Sequence, residues 1–122
     1  MNMELTLFDK NGIPTAYIAD DLECSIYTWD GEAVCYLYGQ IIYGWRGHHI
    51  GWFVNNIVYD LQGYRVGYTR ATCPRLTRLE PLKKLKRLKF LKSLRQIPKL
   101  QPIFKLQNSN QPLLDFLSQD KH

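Results

Sequence analysis

The chain has 122 residues, of which 45% are apolar, 22% charged and 13% aromatic. That is one globular domain's worth of sequence, enriched in Tyr and Trp. No apolar run approaches the ~20 residues of a membrane-spanning helix, and MNMELTLFDK lacks a basic-then-apolar leader pattern. Cys24, Cys35 and Cys73 are too scattered for a disulfide scaffold or for paired zinc-ligand spacings. The expectation is a cytoplasmic chain with no metal and no cofactor. The net charge of +5 is divided unevenly. Residues 1–70 carry four Lys/Arg against eight Asp/Glu, and residues 71–122 carry twelve against three. A body of −4 therefore joins a tail of +9 at Ala71-Thr72-Cys73-Pro74.

The body, residues 1–70, is a fourfold repeat. Gly12, Gly31, Gly47 and Gly63 lie 19, 16 and 16 residues apart. Five residues before each stands an aliphatic (Leu7, Ile26, Ile42, Val58), and four before an aromatic (Phe8, Tyr27, Tyr43, Tyr59). Three after comes a β-branched residue (Thr15, Val34, Ile50, Val66), then a small one (Ala16, Cys35, Gly51, Gly67), then an aromatic (Tyr17, Tyr36, Trp52, Tyr68). Asn11-Gly12 and Asp30-Gly31 are strong hairpin signals for a two-residue turn. Arg46-Gly47 and Gln62-Gly63 suit that turn less well and leave a three- or four-residue turn open. Flanking Tyr, Trp, Ile and Val favour strands. The prediction is an all-β body of eight short antiparallel strands, four repeated hairpins around a pseudo-fourfold axis.

A two-residue turn sets the aliphatic position opposite the small one and the aromatic position opposite the β-branched one. Both faces are then apolar, and both need a cover. The small residues predict close backbone approach near the axis, and the aromatic face needs the tail or another subunit over it. Trp29, Trp45 and Trp52 on that face are candidates for self-association. His48 shares the face and reads as a packed or hydrogen-bonded histidine. Asp9 and Asp60 occupy equivalent slots, but Thr28 and Gly44 interrupt a carboxylate ring.

Residues Ile26-Tyr27-Thr28-Trp29-Asp30-Gly31, Ile41-Ile42-Tyr43-Gly44-Trp45, Ile50-Gly51-Trp52-Phe53 and Val58-Tyr59-Asp60 resemble the bacterial four-fold β-flower domain family over roughly residues 4–70. The resemblance implies radially arranged hairpins and brings no catalytic residues. Proteins of that kind also tend to carry a basic tail with an apolar residue at every third position. Lys10 stands where later copies have Trp29 and Trp45, which predicts a looser first hairpin.

From Leu76 to Leu106 every third residue is Leu or Ile, eleven in succession. An α-helix would carry that row right round its surface, whereas polyproline II has three residues per turn. A local helix over 82–95 competes, because those residues are tolerable helix formers. The row, including Leu85, Leu88 and Leu91, is expected to pack on the aromatic face or on a neighbouring tail. Lys83, Lys84, Lys86, Arg87, Lys89, Lys92 and Arg95 fill the gaps. They form either a solvated face or a site for an anionic partner, nucleic acid or a membrane surface. Residues 111–118 predict a short terminal helix docking on the body. Without a nucleophile set, P-loop or dinucleotide fingerprint, the expected function is a non-enzymatic interaction module that forms a homo-oligomer, with no small-molecule substrate identified. The alternative is anion binding through the tail.

Overall fold

The computed structural model of the chain describes residues 4–122. Eight strands run up and down in sequence order and close into an antiparallel barrel. They are β1 (Leu5–Phe8), β2 (Pro14–Ile18), β3 (Ser25–Thr28), β4 (Ala33–Tyr38), β5 (Ile41–Tyr43), β6 (His49–Val54), β7 (Ile57–Asp60) and β8 (Arg65–Tyr68). One short helix, α1 (Leu113–Ser118), follows the tail where the sequence predicts it. Among the described residues no helix is long and apolar enough to cross a membrane.

Each repeated hairpin turns through three residues and ends on its glycine. The residue three before accepts from the glycine N–H and donates to the carbonyl one beyond it. Asp9, Thr28, Gly44 and Asp60 do so at 2.9–3.1 Å. The four glycines hold φ between +82° and +93°, the left-handed region that closes such a loop. Asn11, Asp30, Arg46 and Gln62 need no positive φ here, so Arg and Gln are as acceptable as Asn and Asp. The tight two-residue turn is thereby corrected to the longer form.

That extra residue alters one face. The pairs Leu7–Ala16, Ile26–Cys35, Ile42–Gly51 and Val58–Gly67 stand as the repeat register requires. A register shift follows each, so the aromatic position faces the residue two after the glycine: Phe8–Pro14, Tyr27–Ala33, Tyr43–His49 and Tyr59–Arg65. The β-branched residue is the additional residue of a bulge and turns inward with its small neighbour. Val34, Ile50 and Val66 accordingly join Leu7, Ile26, Ile42 and Val58 in the interior cluster.

The small residues make space mainly for the chain's own C-terminus, and at Gly51 also for the close approach of the Tyr59 carbonyl on β7. Leu113, Phe116 and Leu117 of α1 are buried in that same interior cluster. A Cβ on Gly51 would meet the Phe116 ring at 2.6 Å, and one on Gly67 would meet Leu113 at 2.8 Å. Burial raises the pKa of the Cys35 thiol, which leaves it an inert packing group.

The outer face carries the aromatics. Tyr17 stacks on Tyr27 with centroids 5.7 Å apart, and Tyr36 on Tyr43 at 6.0 Å. Trp29 and Trp45 staple neighbouring hairpins: their Nε1–H groups donate to Pro14 O (3.0 Å) and Ala33 O (2.9 Å) of the hairpin before. Lys10 cannot do this, and the seam it would close is the narrowest. There β8 and β1 share the pair Phe8–Tyr68. The returning chain lies alongside, with Arg65 bridging to Asn108 and Tyr68 Oη donating to Asn108 Oδ1.

Candidate functional site

Beyond Arg70 the tail becomes a strap around the barrel. It contains neither helix nor strand between residues 75 and 105, so the local helix over 82–95 does not form. Backbone N–H groups of Arg78, Arg87, Gln96 and Lys105 donate to the carbonyls of Gly12, Gly31, Gly47 and Gly63 at 2.9, 2.8, 2.7 and 2.9 Å. These donors lie nine residues apart, so three three-residue turns of strap span one hairpin. Lys84 and Ser93, also nine apart, donate to Trp29 O (3.1 Å) and Trp45 O (2.8 Å). The carbonyls of Leu76, Leu85, Leu94 and Ile103 press on the same four glycines where any Cβ would collide. The turn glycines thus serve both the hairpin and the strap.

The hydrogen-bond register sets the strap's rotation, and the rotation reverses the expected packing. The eleven Leu and Ile side chains point outward and are 81–97% exposed. The row one residue later faces the body instead. Lys83 Nζ lies 4.6 Å from the Tyr17 ring centre, Lys86 5.3 Å from Tyr27 and Lys92 5.1 Å from Tyr36, with the Arg95 guanidinium 3.8 Å from Tyr38. Phe104 ends the row stacked on Tyr59 at 3.9 Å. Cations hold this place because aromatic faces attract them and their alkyl stems cover apolar surface.

Body carboxylates complete the attachment. Lys83 and Lys86 each sit 2.8 Å from Glu4. Lys89 is 2.5 Å from Glu23 and 3.3 Å from Asp21, and Lys92 is 3.0 Å from Glu23. Hydrogen bonds from Lys89 and Lys92 hold Glu23 below its ordinary pKa. Burial alone would raise Glu4, but Lys83 and Lys86 outweigh it and the net shift is down. The Glu4 and Glu23 contacts in turn raise Lys86 and Lys89.

The candidate residues are therefore sorted by the strap. Lys83, Lys86, Lys89 and Lys92 are paired with the chain's own acids, and Arg95 is stacked on a ring. Lys84 and Arg87 are exposed on the third row, Lys84 at 4.0 Å from Asp30. Trp45 and Trp52 are buried and Trp29 is half-buried, so the strap of the same chain covers most of the aromatic face expected to meet a neighbour. Leu85, Leu88 and Leu91 stand outward.

The titratable groups of the turns serve the fold. Asp9 Oδ1 accepts from the N–H groups of Asn11 and Ile13, and Asp60 Oδ1 from those of Gln62 and Tyr64. At the third turn that position is Gly44, and buried Asp120 arrives from beyond α1 in its place. Its Oδ2 accepts from His48 N–H at 3.0 Å and its Oδ1 lies 2.8 Å from His48 Nδ1. The bulge moves His49, not His48, onto the aromatic face, between Tyr43 and Trp52. His49 Nε2 donates to Gly51 O (3.0 Å), and its Nδ1 accepts from Lys99 N–H (2.9 Å). Burial lowers its pKa, helped by the charge of Lys99. Among the described residues no three His, Cys, Asp or Glu side chains are grouped to hold a metal ion.

A fourfold hairpin barrel, plugged by a C-terminal helix and girdled by a basic strap, has a family counterpart. The chain matches the family described as 4-fold beta flower protein over residues 5–117. It belongs to that family. The match runs through the strap and into α1, so the family extends well beyond the hairpins that carry the sequence resemblance. No curated protein and no solved structure matches the chain.

Proposed function

We propose that this β-flower chain is a non-enzymatic interaction module that self-associates through the outward row of its strap. The reading is carried by one observation: Leu82, Leu85, Leu88, Leu91, Leu94 and Leu100 are each more than 90% exposed. Burying a leucine contributes about 1.5–3 kcal/mol, or roughly 60–120 Å² of apolar surface at about 25 cal/mol/Å². Eleven together expose more apolar surface than the ~300–600 Å² patch of an ordinary monomer, and because the strap rings the barrel they offer an arc of about three leucines at each hairpin. A row of constant spacing is also self-complementary about a two-fold axis. A non-catalytic role is supported by the duties of the histidines and acids, which close turns or hold the strap.

The test is the light-scattering mass of the full chain at low and high salt. A dimer or larger assembly that survives high salt is expected. Replacing Leu85, Leu88 and Leu91 by Ser should dissolve it without lowering the thermal midpoint, because those side chains touch nothing in the monomer. Lys84→Gln with Arg87→Gln should leave the mass unchanged. A monomer at both salts overturns the reading. A salt-labile complex with nucleic acid or anionic vesicles would transfer the function to the strap's basic flank.

A further inference from the structure

We propose that the groove where the strap crosses β5 and β6 is a binding site for a small apolar carboxylic acid. The strap's nine-residue period places successive arcs in equivalent positions on the body. In the arc ending at Leu94, the inward residues Lys89 and Lys92 meet Asp21 and Glu23. Nine residues later the same places are Pro98 and Gln101. The connection they face has changed as well. Asp21 and Glu23 belong to the long link between β2 and β3, residues 19–24, whereas β4 and β5 are joined by Gly39-Gln40 alone. The shortening is visible as the fall in glycine spacing from 19 to 16. Both halves of the ion-pair lattice are missing from this arc, and a groove of about 540 Å³ opens instead. That volume lies within the ~300–1,000 Å³ of small-molecule sites.

The groove's chemistry is specific. Tyr38, Ile41, Trp52 and Pro98 supply aromatic and apolar walls, and Gln40 and Gln101 supply amides. Lys99 lines it and takes part in none of the ion pairs among the described residues. Its backbone is fixed by the hydrogen bond to buried His49. Arg95, stacked on Tyr38, adds a second positive charge near the same wall. Among the described residues no acid lines the groove. A carboxylate on Lys99, with a flat apolar body against Tyr38 and Pro98, would pair the one charged side chain that lines the groove. The site is separate from the outward leucine row, so it stands or falls independently of self-association.

The test uses isotope-labelled full chain titrated with indole-3-acetate to millimolar concentration, with uncharged indole-3-acetamide as the comparison. Saturable shifts of the Trp52 indole N–H and of the Gly39 and Gln40 amides are expected. Binding should weaken by about tenfold or more, on the order of 1.4 kcal/mol, for the amide and for Lys99→Gln. Gln40→Glu, which supplies the missing acid from the body, should block binding by a separate route. Lys84→Gln should leave it unchanged. Equal binding of acid and amide, unchanged affinity in both groove variants, or no shift at these residues would each overturn the site.

Discussion

The third hairpin allows the C-terminal plug to be tested by a double-mutant cycle. Asp9 and Asp60 close their own turns at 2.9–3.0 Å, but Gly44 cannot, and Asp120 serves the equivalent donors from the far end of the chain, its carboxylate taking His48 N–H and its main-chain carbonyl Arg46 N–H. Asp120→Ala leaves His48 N–H without its acceptor, and hydrogen bonds to a charged group are worth about 1.5–3 kcal/mol. For a chain of this size that is a fall of about 5–15 °C in Tm. Gly44→Asp alone drives a Cβ into the Cβ, the carboxylate and the main-chain carbonyl of Asp120, an overpacking that costs about 1–3 kcal/mol. Combined, the two changes move the carboxylate from position 120 to position 44, where the first and fourth hairpins already have it. The double variant keeps the Cβ and carbonyl of position 120 against residue 44, so it recovers only the carboxylate's share. Its loss should fall short of the summed single losses by about 1 kcal/mol or more, above the ~0.3–0.5 kcal/mol scatter of independent sites. Urea unfolding of the four proteins measures this directly. Additive losses would refute the equivalence of Asp120 with Asp9 and Asp60.

The two interior glycines should differ, because a Cβ at Gly51 meets the rigid Tyr59 carbonyl and Phe116, while one at Gly67 meets the rotatable Leu113. Gly51→Ala should lose about 1–3 kcal/mol, and Gly67→Ala should stay near neutral because the lower unfolded-state entropy offsets part of the clash by about 0.4–1 kcal/mol. Thermal melts in the reverse order would contradict the plug geometry. Acidification should release the strap in two stages, read by limited proteolysis. His49 has a lowered folded pKa, so its contribution is present above its ordinary value of about 6.5 and is lost as pH falls through the folded value. Glu4, Asp21 and Glu23 are also lowered, and their contribution fades only below about pH 4. His49→Gln should abolish the upper stage, and a single stage in the native chain would refute the assignment.

The hairpin barrel was legible because its signals are local and repeated. Aliphatic and small positions appear four times at constant offsets, and their cross-strand pairing follows from any turn that keeps those offsets. The turn length was not legible to the same degree. Asn11-Gly12 and Asp30-Gly31 suit two kinds of turn, and only Arg46 and Gln62, poor at positive φ, point to the longer one. That single residue decides whether Val34, Ile50 and Val66 face the aromatics or the interior, and which histidine is buried. Asp120 was out of reach for another reason. It fills a gap at Gly44 that is 76 residues away in the chain, and nothing near Gly44 marks the vacancy except the aligned Asp9 and Asp60.

The strap shows what periodicity can and cannot determine. A row at every third residue fits three residues per turn and no continuous amphipathic α-helix, but it left a local helix over 82–95 open, and the strap has none there. It does not determine the rotation of that row about the strap's own axis. Rotation depends on which backbone N–H groups find the turn carbonyls, and backbone groups leave no trace in side-chain composition. Once Arg78, Arg87, Gln96 and Lys105 are tied to Gly12, Gly31, Gly47 and Gly63, the row after the leucines must face the barrel. Tyrosine faces and the carboxylates of Glu4, Asp21 and Glu23 reward cations there. Leucine inward would give up those contacts and strand the body's acids, while leucine outward leaves the row in solvent. The chain thus holds its strap with charge and leaves the leucine row exposed, the surface proposed above for association.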